Sequence, residues 1–362
     1  MNIFFRVDAS KSIGIGHFMR CLTIANEMYN LGESCFFISR ELSEHSIKLL
    51  EKNNHGYLQL PLHNLPNQTE GELDWLPISS IDDANETLEM LACKEPGILI
   101  LDQYGIDKDW IRLIKSATKE IIIIDDLANR ELDCDLLINP TYGMTEEDYL
   151  DLVNADCKKL IGSKYAPIRD EFSQLRSSAI MKRNSSQPIK RILVFLGGGL
   201  QTENIRIVLD SLKKINWNNE IFIDLIVNKD DPIINFITKK QNEYPHKINI
   251  FSNIGNMAEL ILETDLAIGS AGSASWERCC LGLPSIVKVI AENQRLIAEN
   301  LKKTGAALLW ENSDQLINAI EKFKSSKSFQ NRMIKSAFEV CDGLGVKRLC
   351  KYINNSFILD TR

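Results

Sequence analysis

Phe5-Arg6-Val7-Asp8-Ala9-Ser10-Lys11-Ser12-Ile13-Gly14-Ile15-Gly16-His17-Phe18-Met19-Arg20-Cys21 is the stretch whose reading decides the fold. Its leading end, with Ile3, Phe4, Phe5 and Val7, is an apolar run of strand length. Its trailing end runs into residues 21–28, where apolar side chains recur at helical spacing. A strand therefore feeds a loop holding Gly14 and Gly16, and the loop opens a helix. That junction turns the free N–H groups of a first helical turn outward, where they favour anions. Glycine lets a ligand approach the backbone closely. His17 follows the second glycine at a strand's carboxyl end, the edge where open α/β sheets take ligands.

The same rhythm continues outward. Apolar runs at 3–7, 34–38, 57–60, 97–101, 120–124, 135–138 and 159–161 alternate with helical patterns. This predicts a parallel sheet with helices on both faces. Gly97-Ile98-Leu99-Ile100-Leu101 and Ile121-Ile122-Ile123-Ile124 are apolar throughout, as strands covered on both faces are. A second series follows at 191–196, 221–227, 247–251, 266–269, 284–287 and 306–310. Between the series, residues 173–190 are polar and serine-rich, with Ser177, Ser178, Ser185 and Ser186 around Lys182-Arg183-Asn184, and read as a linker. The expected fold class is α/β: two doubly wound, Rossmann-like domains facing a cleft. The first domain spans 1–172, the linker 173–190 and the second domain 191–346. Residues 347–362 have no strand of their own and are expected to pack back onto the first domain.

Composition sets bounds on function. The chain has 362 residues and a net charge of −7, so it lacks the basic face that bulk nucleic-acid binding needs. Its nine cysteines are scattered over apolar positions, including Cys21, Cys35, Cys93, Cys134, Cys279 and Cys280, and none forms a Cys-x-x-Cys pair. Reduced thiols in a cytoplasmic protein are the better reading than disulfides or zinc. No apolar run approaches membrane-spanning length, and the N-terminus reads as a strand and not a targeting segment. The expectation is a cytoplasmic monomer with no nucleic-acid or membrane partner. His45, His55, His63 and His246 lie in polar contexts and call for no function.

The second domain offers two anion-binding candidates. Ile192-Leu193-Val194-Phe195-Leu196 runs into Gly197-Gly198-Gly199, which either lets the backbone pass close to a ligand or simply makes a tight turn. Gly269-Ser270-Ala271-Gly272-Ser273-Ala274-Ser275-Trp276-Glu277-Arg278 leads from a strand into a helix. Two readings stand for it. Its amides hold a diphosphate while Glu277 accepts from a ribose diol, or Ser273 merely caps the helix and Glu277 complements its positive end. Ala291-Glu292-Asn293-Gln294 adds amides and a carboxylate after the next strand. No Gly-Lys-Ser/Thr follows any glycine loop, so there is no Walker P-loop. Met19 stands where a dinucleotide fingerprint would have its third glycine. No cluster suggests a metal. Asp102-Gln103-Tyr104 ends a strand and is placed to line a substrate pocket. Asp125-Asp126 ends another, where capping the next turn is the preferred reading over facing the ligand.

Together these motifs resemble a known family, the UDP-2,4-diacetamido-2,4,6-trideoxy-β-L-altropyranose hydrolases of pseudaminic acid biosynthesis (PseG). The resemblance rests on the opening stretch and on Leu101-Asp102-Gln103-Tyr104 and Ile124-Asp125-Asp126-Leu127-Ala128-Asn129-Arg130. It continues through Asp133-Cys134-Asp135-Leu136-Leu137-Ile138-Asn139, Gly162-Ser163-Lys164-Tyr165-Ala166-Pro167-Ile168-Arg169, Phe195-Leu196-Gly197-Gly198-Gly199 and the 269–278 segment. It spans nearly the whole chain to about residue 310. Leu132 and Leu200 depart from it, standing where members commonly carry histidine and aspartate. The family is in turn similar to two-domain GT-B glycosyltransferases such as MurG. The resemblance implies a second domain that binds UDP and a first domain that presents a general base, His17, with no cofactor and no metal. It further implies that Asn293 and Gln294 meet the UDP-activated diacetamido sugar and its diphosphate, and Asp8, Gly14, Gly16, Arg20 and Tyr104 are expected to meet that sugar from the first domain. Gly198, Gly199, Gly272, Ser273 and Glu277 would hold UDP.

The implied reaction cleaves the anomeric C–O bond with water and inverts the centre. A histidine titrates near neutral pH, which suits a base there, and the positive helix end favours its neutral form. Asp8 or a backbone carbonyl is expected to orient its ring. The alternatives are a hydrolase for a related UDP-sugar of surface polysaccharide synthesis, a GT-B transferase using an acceptor hydroxyl, or a non-catalytic nucleotide-sugar binder. For His17 itself, the alternative to a catalytic role is a substrate-binding or structural one.

Overall fold

The computed structural model describes residues 1–9, 13–63, 75–92, 94–95, 97–184, 188–252 and 254–359. Ser10, Lys11 and Ser12 of the opening stretch, Cys93, and Ser185 and Ser186 of the expected linker lie outside the described residues. The chain divides into two units, one made of 1–167 with 344–362 and the other of 168–343.

Unit 1 alternates strands and helices: β1 (Asn2–Val7), α1 (Gly16–Asn30), β2 (Ser34–Ser39), α2 (Glu44–Lys52), β3 (Gly56–Gln59), α3 (Ser80–Ala92), β4 (Ile98–Asp102), α4 (Lys108–Ile114), β5 (Glu120–Ile124), β6 (Leu136–Asn139) and β7 (Lys158–Ile161). The strands form one parallel sheet in the order β3-β2-β1-β4-β5-β6-β7. Successive side chains on a strand face opposite ways, and the core divides accordingly. Ile3, Phe5, Val7, Ile98, Ile100, Ile122 and Ile124 pack on Cys21, Leu22, Ile24 and Met28 of α1. Phe4, Leu99, Leu101, Ile121 and Ile123 pack on Leu91 of α3 and on Trp110, Ile111 and Ile114 of α4. Both faces are covered, which is why these strands read as unbroken apolar runs.

Unit 2 follows the same plan: α5 (Asp170–Asn184), β8 (Arg191–Phe195), α6 (Thr202–Lys214), β9 (Phe222–Ile226), α7 (Ile233–Lys240), β10 (Lys247–Phe251), α8 (Met257–Glu263), β11 (Leu266–Ser270), α9 (Ala274–Cys280), β12 (Ser285–Lys288), α10 (Arg295–Thr304), β13 (Ala307–Leu309), α11 (Ser313–Ser325) and α12 (Lys327–Val340). Its parallel sheet runs β10-β9-β8-β11-β12-β13. The chain then returns to unit 1 as α13 (Gly345–Ile353), whose Val346, Leu349, Cys350 and Ile353 join the α1 side of the first core.

Two expectations change here. Residues 173–184, expected in a linker, belong to α5. Only Phe172, Ala179 and Arg183 of α5 are buried, so the helix shows no apolar stripe. Arginines secure it instead. Arg176 donates to the carbonyls of Cys280 (2.7 Å), Cys341 (2.8 Å) and Phe338 (2.9 Å). Arg183 donates to Ile261 (2.9 Å), Leu281 (3.3 Å) and Thr264. The units accordingly part at 167/168 and 343/344 and not at a serine-rich connector.

Each sheet reverses its winding once, between β1 and β4 in unit 1 and between β8 and β11 in unit 2. A doubly wound sheet opens a crevice outside the carboxyl ends of the strands at such a point. Among the described residues no helix is long and apolar enough to cross a membrane.

Candidate active site

At the unit 1 reversal, Val7 ends β1 directly opposite Asp102, which ends β4. The loop after β1 turns through Gly14, at φ +82°, a conformation in which side chains are strained. It then enters α1, whose start has no side-chain cap. His17 is the second residue of that helix, and its Nδ1 lies 2.6 Å from Asp102 Oδ1. Arg20, one turn on, donates through Nε (2.5 Å) and Nη2 (2.6 Å) to the same carboxylate and through Nη1 (3.0 Å) to Asp126. Arg20 Nη2 also stands 3.2 Å from His17 Nδ1. One ring nitrogen cannot donate and accept at once, and the shorter contact, to a carboxylate, prevails. Nδ1 therefore carries the proton, which leaves Nε2 as the acceptor. Nε2 has no hydrogen-bond partner among the described residues, and the side chain is 11% exposed.

Asp102 is wholly buried. Burial alone would raise its carboxyl, but Arg20 and then His17 outweigh it and hold the group well below the usual carboxylate range. It stays a fixed anion behind the ring. Tyr104 stands edge-on to His17, with ring centroids 4.7 Å apart, and its hydroxyl donates to Asp126. Trp75 stands edge-on to both, 5.8 Å from His17 and 4.6 Å from Tyr104. The His17 ring thus has an aromatic wall of Tyr104 and Trp75 on one side and an ionic network behind it.

Asp8 does not orient this ring. It is 4% exposed and already engaged by Arg6 Nη1 (2.7 Å), the Arg40 N–H (2.7 Å) and Gln103 Nε2 (2.9 Å). Arg6 and Arg40 also share Asp83 of α3, which Trp110 Nε1 reaches at 3.0 Å. Asp8 therefore supports the strand ends from beneath. Arg20 likewise spends its donors inside the protein. The Asp125-Asp126 pair divides. Asp125 caps the turn, accepting from the amides of Leu127 (3.2 Å) and Ala128 (2.9 Å), whereas Asp126 faces Arg20 and Tyr104.

At the unit 2 reversal, Gly197 turns at φ +103°, where a Cβ would lie 3.5 Å from Ile290 Cδ1 and 3.9 Å from Ser270 Oγ. A Cβ on Gly272 would lie 3.6 Å from Gln294 Nε2, while one on Gly199 would meet nothing within 4 Å. Gln294 Oε1 in turn accepts from the Ile290 N–H at 3.3 Å. The three segments picked from the sequence therefore converge at this sheet end. The amides of Gly198, Gly199, Gly272 and Ser273 have no acceptor among the described residues. Ser273 does not cap α9: its side chain makes no capping bond. Glu277 lies one turn into α9 and takes Arg169 Nη2 at 3.2 Å. Burial pushes its carboxyl up, and Arg169 pulls the other way. Arg278, 2% exposed, braces the loop from below by donating to the Ser270 carbonyl at 2.7 Å. Asn293 sits beside Gln294, half-buried. Among the described residues no three His, Cys, Asp or Glu side chains converge to hold a metal ion.

Two features of the candidate site were not picked out from the sequence. Asp126 carried the preferred capping reading and instead pairs with Arg20 and Tyr104 beside His17. The second is Trp75, a lone aromatic after residues with no periodic pattern.

The profile of the glycosyltransferase family 28 C-terminal domain matches residues 192–348, most of unit 2. An uncharacterized protein of Methanocaldococcus jannaschii is 28% identical over 302 residues, 82% of this chain and 57% of that protein, so the chain spans little more than half its length. The UDP-2,4-diacetamido-2,4,6-trideoxy-beta-L-altropyranose hydrolase of Campylobacter jejuni is 25% identical over 306 residues, 84% of this chain and 97% of the relative. The spore coat polysaccharide biosynthesis protein SpsG of Bacillus subtilis is 23% identical over 280 residues, 75% and 80% of the two chains. Among solved structures, MurG of Acinetobacter baumannii superposes with a TM-score of 0.66 at 14% identity, covering 98% of this chain and 99% of its own. The fold is therefore that of the GT-B glycosyltransferases.

Proposed function

We propose that the protein hydrolyses UDP-2,4-diacetamido-2,4,6-trideoxy-β-L-altropyranose, or a closely related UDP-amino-sugar of surface polysaccharide synthesis. Water attacks the anomeric carbon as its bond to the diphosphate oxygen breaks. The water's proton passes to His17 Nε2, and UDP leaves with the bonding electron pair. Attack opposite the leaving group inverts the anomeric centre. Glu277 takes the ribose diol, and the free amides at Gly198, Gly199, Gly272 and Ser273 stabilise the charge that develops on the diphosphate. Asn293 and Gln294 meet the sugar and diphosphate. No metal or cofactor enters this scheme.

The observation that carries the reading is the 2.6 Å contact between His17 Nδ1 and Asp102, which leaves Nε2 as a basic lone pair. The Campylobacter relative, matched over 97% of its length, supports the choice of substrate and of water as acceptor. The family 28 match favours a second reading, in which an acceptor hydroxyl replaces water.

The test is UDP release from the diacetamido UDP-sugar in EDTA, with the product anomer followed by NMR, for wild type and His17→Ala. Release with inversion, slowed about 10²–10⁴-fold in the variant while UDP still binds, is expected. Wild type that binds UDP but releases none would move the assignment to the transferase. Wild type that binds no UDP would overturn both.

A further inference from the structure

The triple-glycine loop is held from outside by the loop after β9. Asn228 Nδ2 donates to the Gly198 carbonyl at 2.8 Å, and Asn228 Oδ1 accepts from the Asp230 N–H at 3.0 Å. Asp231, 3% exposed, accepts from the Gln201 N–H (2.8 Å), the Thr202 hydroxyl (2.6 Å) and the Ile233 N–H (3.0 Å). One short loop thus grips the glycine turn at two points, Gly198 and the start of α6.

The first grip has a directional effect. No peptide bond among the described residues is cis. In a trans peptide, the carbonyl of one residue and the N–H of the next point in opposite directions. Drawing the Gly198 carbonyl toward Asn228 therefore drives the Gly199 N–H the other way. That amide has no acceptor among the described residues, and a Cβ on Gly199 would enter open space. Glycine residues hold no preferred orientation by themselves, so a run of them needs an external tether to keep an amide aimed.

We infer that Asn228 is a positioning residue for phosphate recognition: by fixing the Gly198 carbonyl it turns the Gly199 N–H toward the diphosphate of a bound nucleotide. This rests on the nucleotide reading of unit 2 given above. Without the Asn228 donor the peptide is free to flip, which would present the negative end of the carbonyl to the phosphate. A role in phosphate recognition, unlike general support of the loop, leaves binding of the nucleoside moiety intact.

The test compares UDP with uridine, which has the same base and ribose but no phosphate, on wild type, Asn228→Ala and Asn228→Asp. UDP affinity is read by isothermal titration and uridine by displacement. Asn228→Asp keeps the acceptor for Asp230 but loses the donor to Gly198. Measuring it at low salt and at about 0.5 M salt separates charge repulsion, which salt screens, from the lost donor, which salt does not restore. Both variants are expected to bind UDP roughly three- to tenfold more weakly, Asn228→Asp at both salt concentrations, with uridine changed less than about twofold. Wild-type UDP affinity in Asn228→Ala, or in Asn228→Asp at high salt, would overturn the inference. So would an equal loss for UDP and uridine, which would mark a general structural role. Wild type that binds no UDP would overturn the nucleotide reading itself and the inference with it.

Discussion

His17 and Asp102 come from segments 85 residues apart and meet because β1 and β4 are neighbours in the sheet. The carboxylate does two things for the ring. It fixes the proton on Nδ1, and in the proposed reaction its negative charge would stabilise the imidazolium formed when Nε2 takes a proton. Asp102→Asn removes the charge and allows the ring to settle in the other tautomer. Turnover is expected to fall about 10²–10³-fold with UDP affinity unchanged, as steady-state kinetics beside a UDP titration would read. A second histidine makes a pH prediction. His55 is 7% exposed, bonds Asn26 through Nε2 at 2.8 Å, and burial pushes it down to about 4. An unfolded histidine titrates near 6.5, so below that pH the unfolded chain takes up a proton that the folded one refuses. Stability therefore declines as pH falls from about 6.5 toward 4, by an amount on the order of 2–3 kcal/mol. Urea denaturation across that range should show the slope in wild type and its loss in His55→Gln.

Elements differ in how plainly they are written in the chain. The strands were legible because each is a short run of mostly apolar residues, the central ones covered on both faces, and the expected and observed spans agree closely. The glycine loops were legible because chain reversal at a strand end needs glycine where φ is positive, as at Gly197. Helix α5 was not legible. Its anchoring side chains are arginines, which count as polar in any periodicity, and what they grip are carbonyls that no sequence pattern reveals. Arg176→Ala should thus destabilise unit 2 by roughly 2–3 kcal/mol, since three carbonyls lose a charged donor. Arg176→Lys should restore only part of this, because an ammonium cannot fork to several acceptors as a guanidinium does. Thermal unfolding of the three proteins would test both. The candidate site shows the same divide. Residues at strand ends and in glycine loops stood out as candidates, whereas the partner of His17 was left between Asp8 and a backbone carbonyl, and it is Asp102. Asp8 is nearer in sequence, but Arg6, Arg40 and Gln103 already occupy it.

The whole molecule is two units joined by two crossings of the chain, because α13 completes the core that the first 167 residues began. A chain ending at Gly343 would leave the apolar face of α1 without Val346, Leu349, Cys350 and Ile353, each buried side chain worth roughly 1.5–3 kcal/mol. Such a truncation should open unit 1 to limited proteolysis while unit 2 retains UDP binding and resists digestion. Intact unit 1 in the truncated chain would show that α13 is dispensable. The same connectivity dictates a timetable during translation. Residues 168–343 emerge as an uninterrupted stretch and can close their core while the protein is still being made. Unit 1 waits for residues 344–353, so its core closes only after the whole of unit 2 has been made.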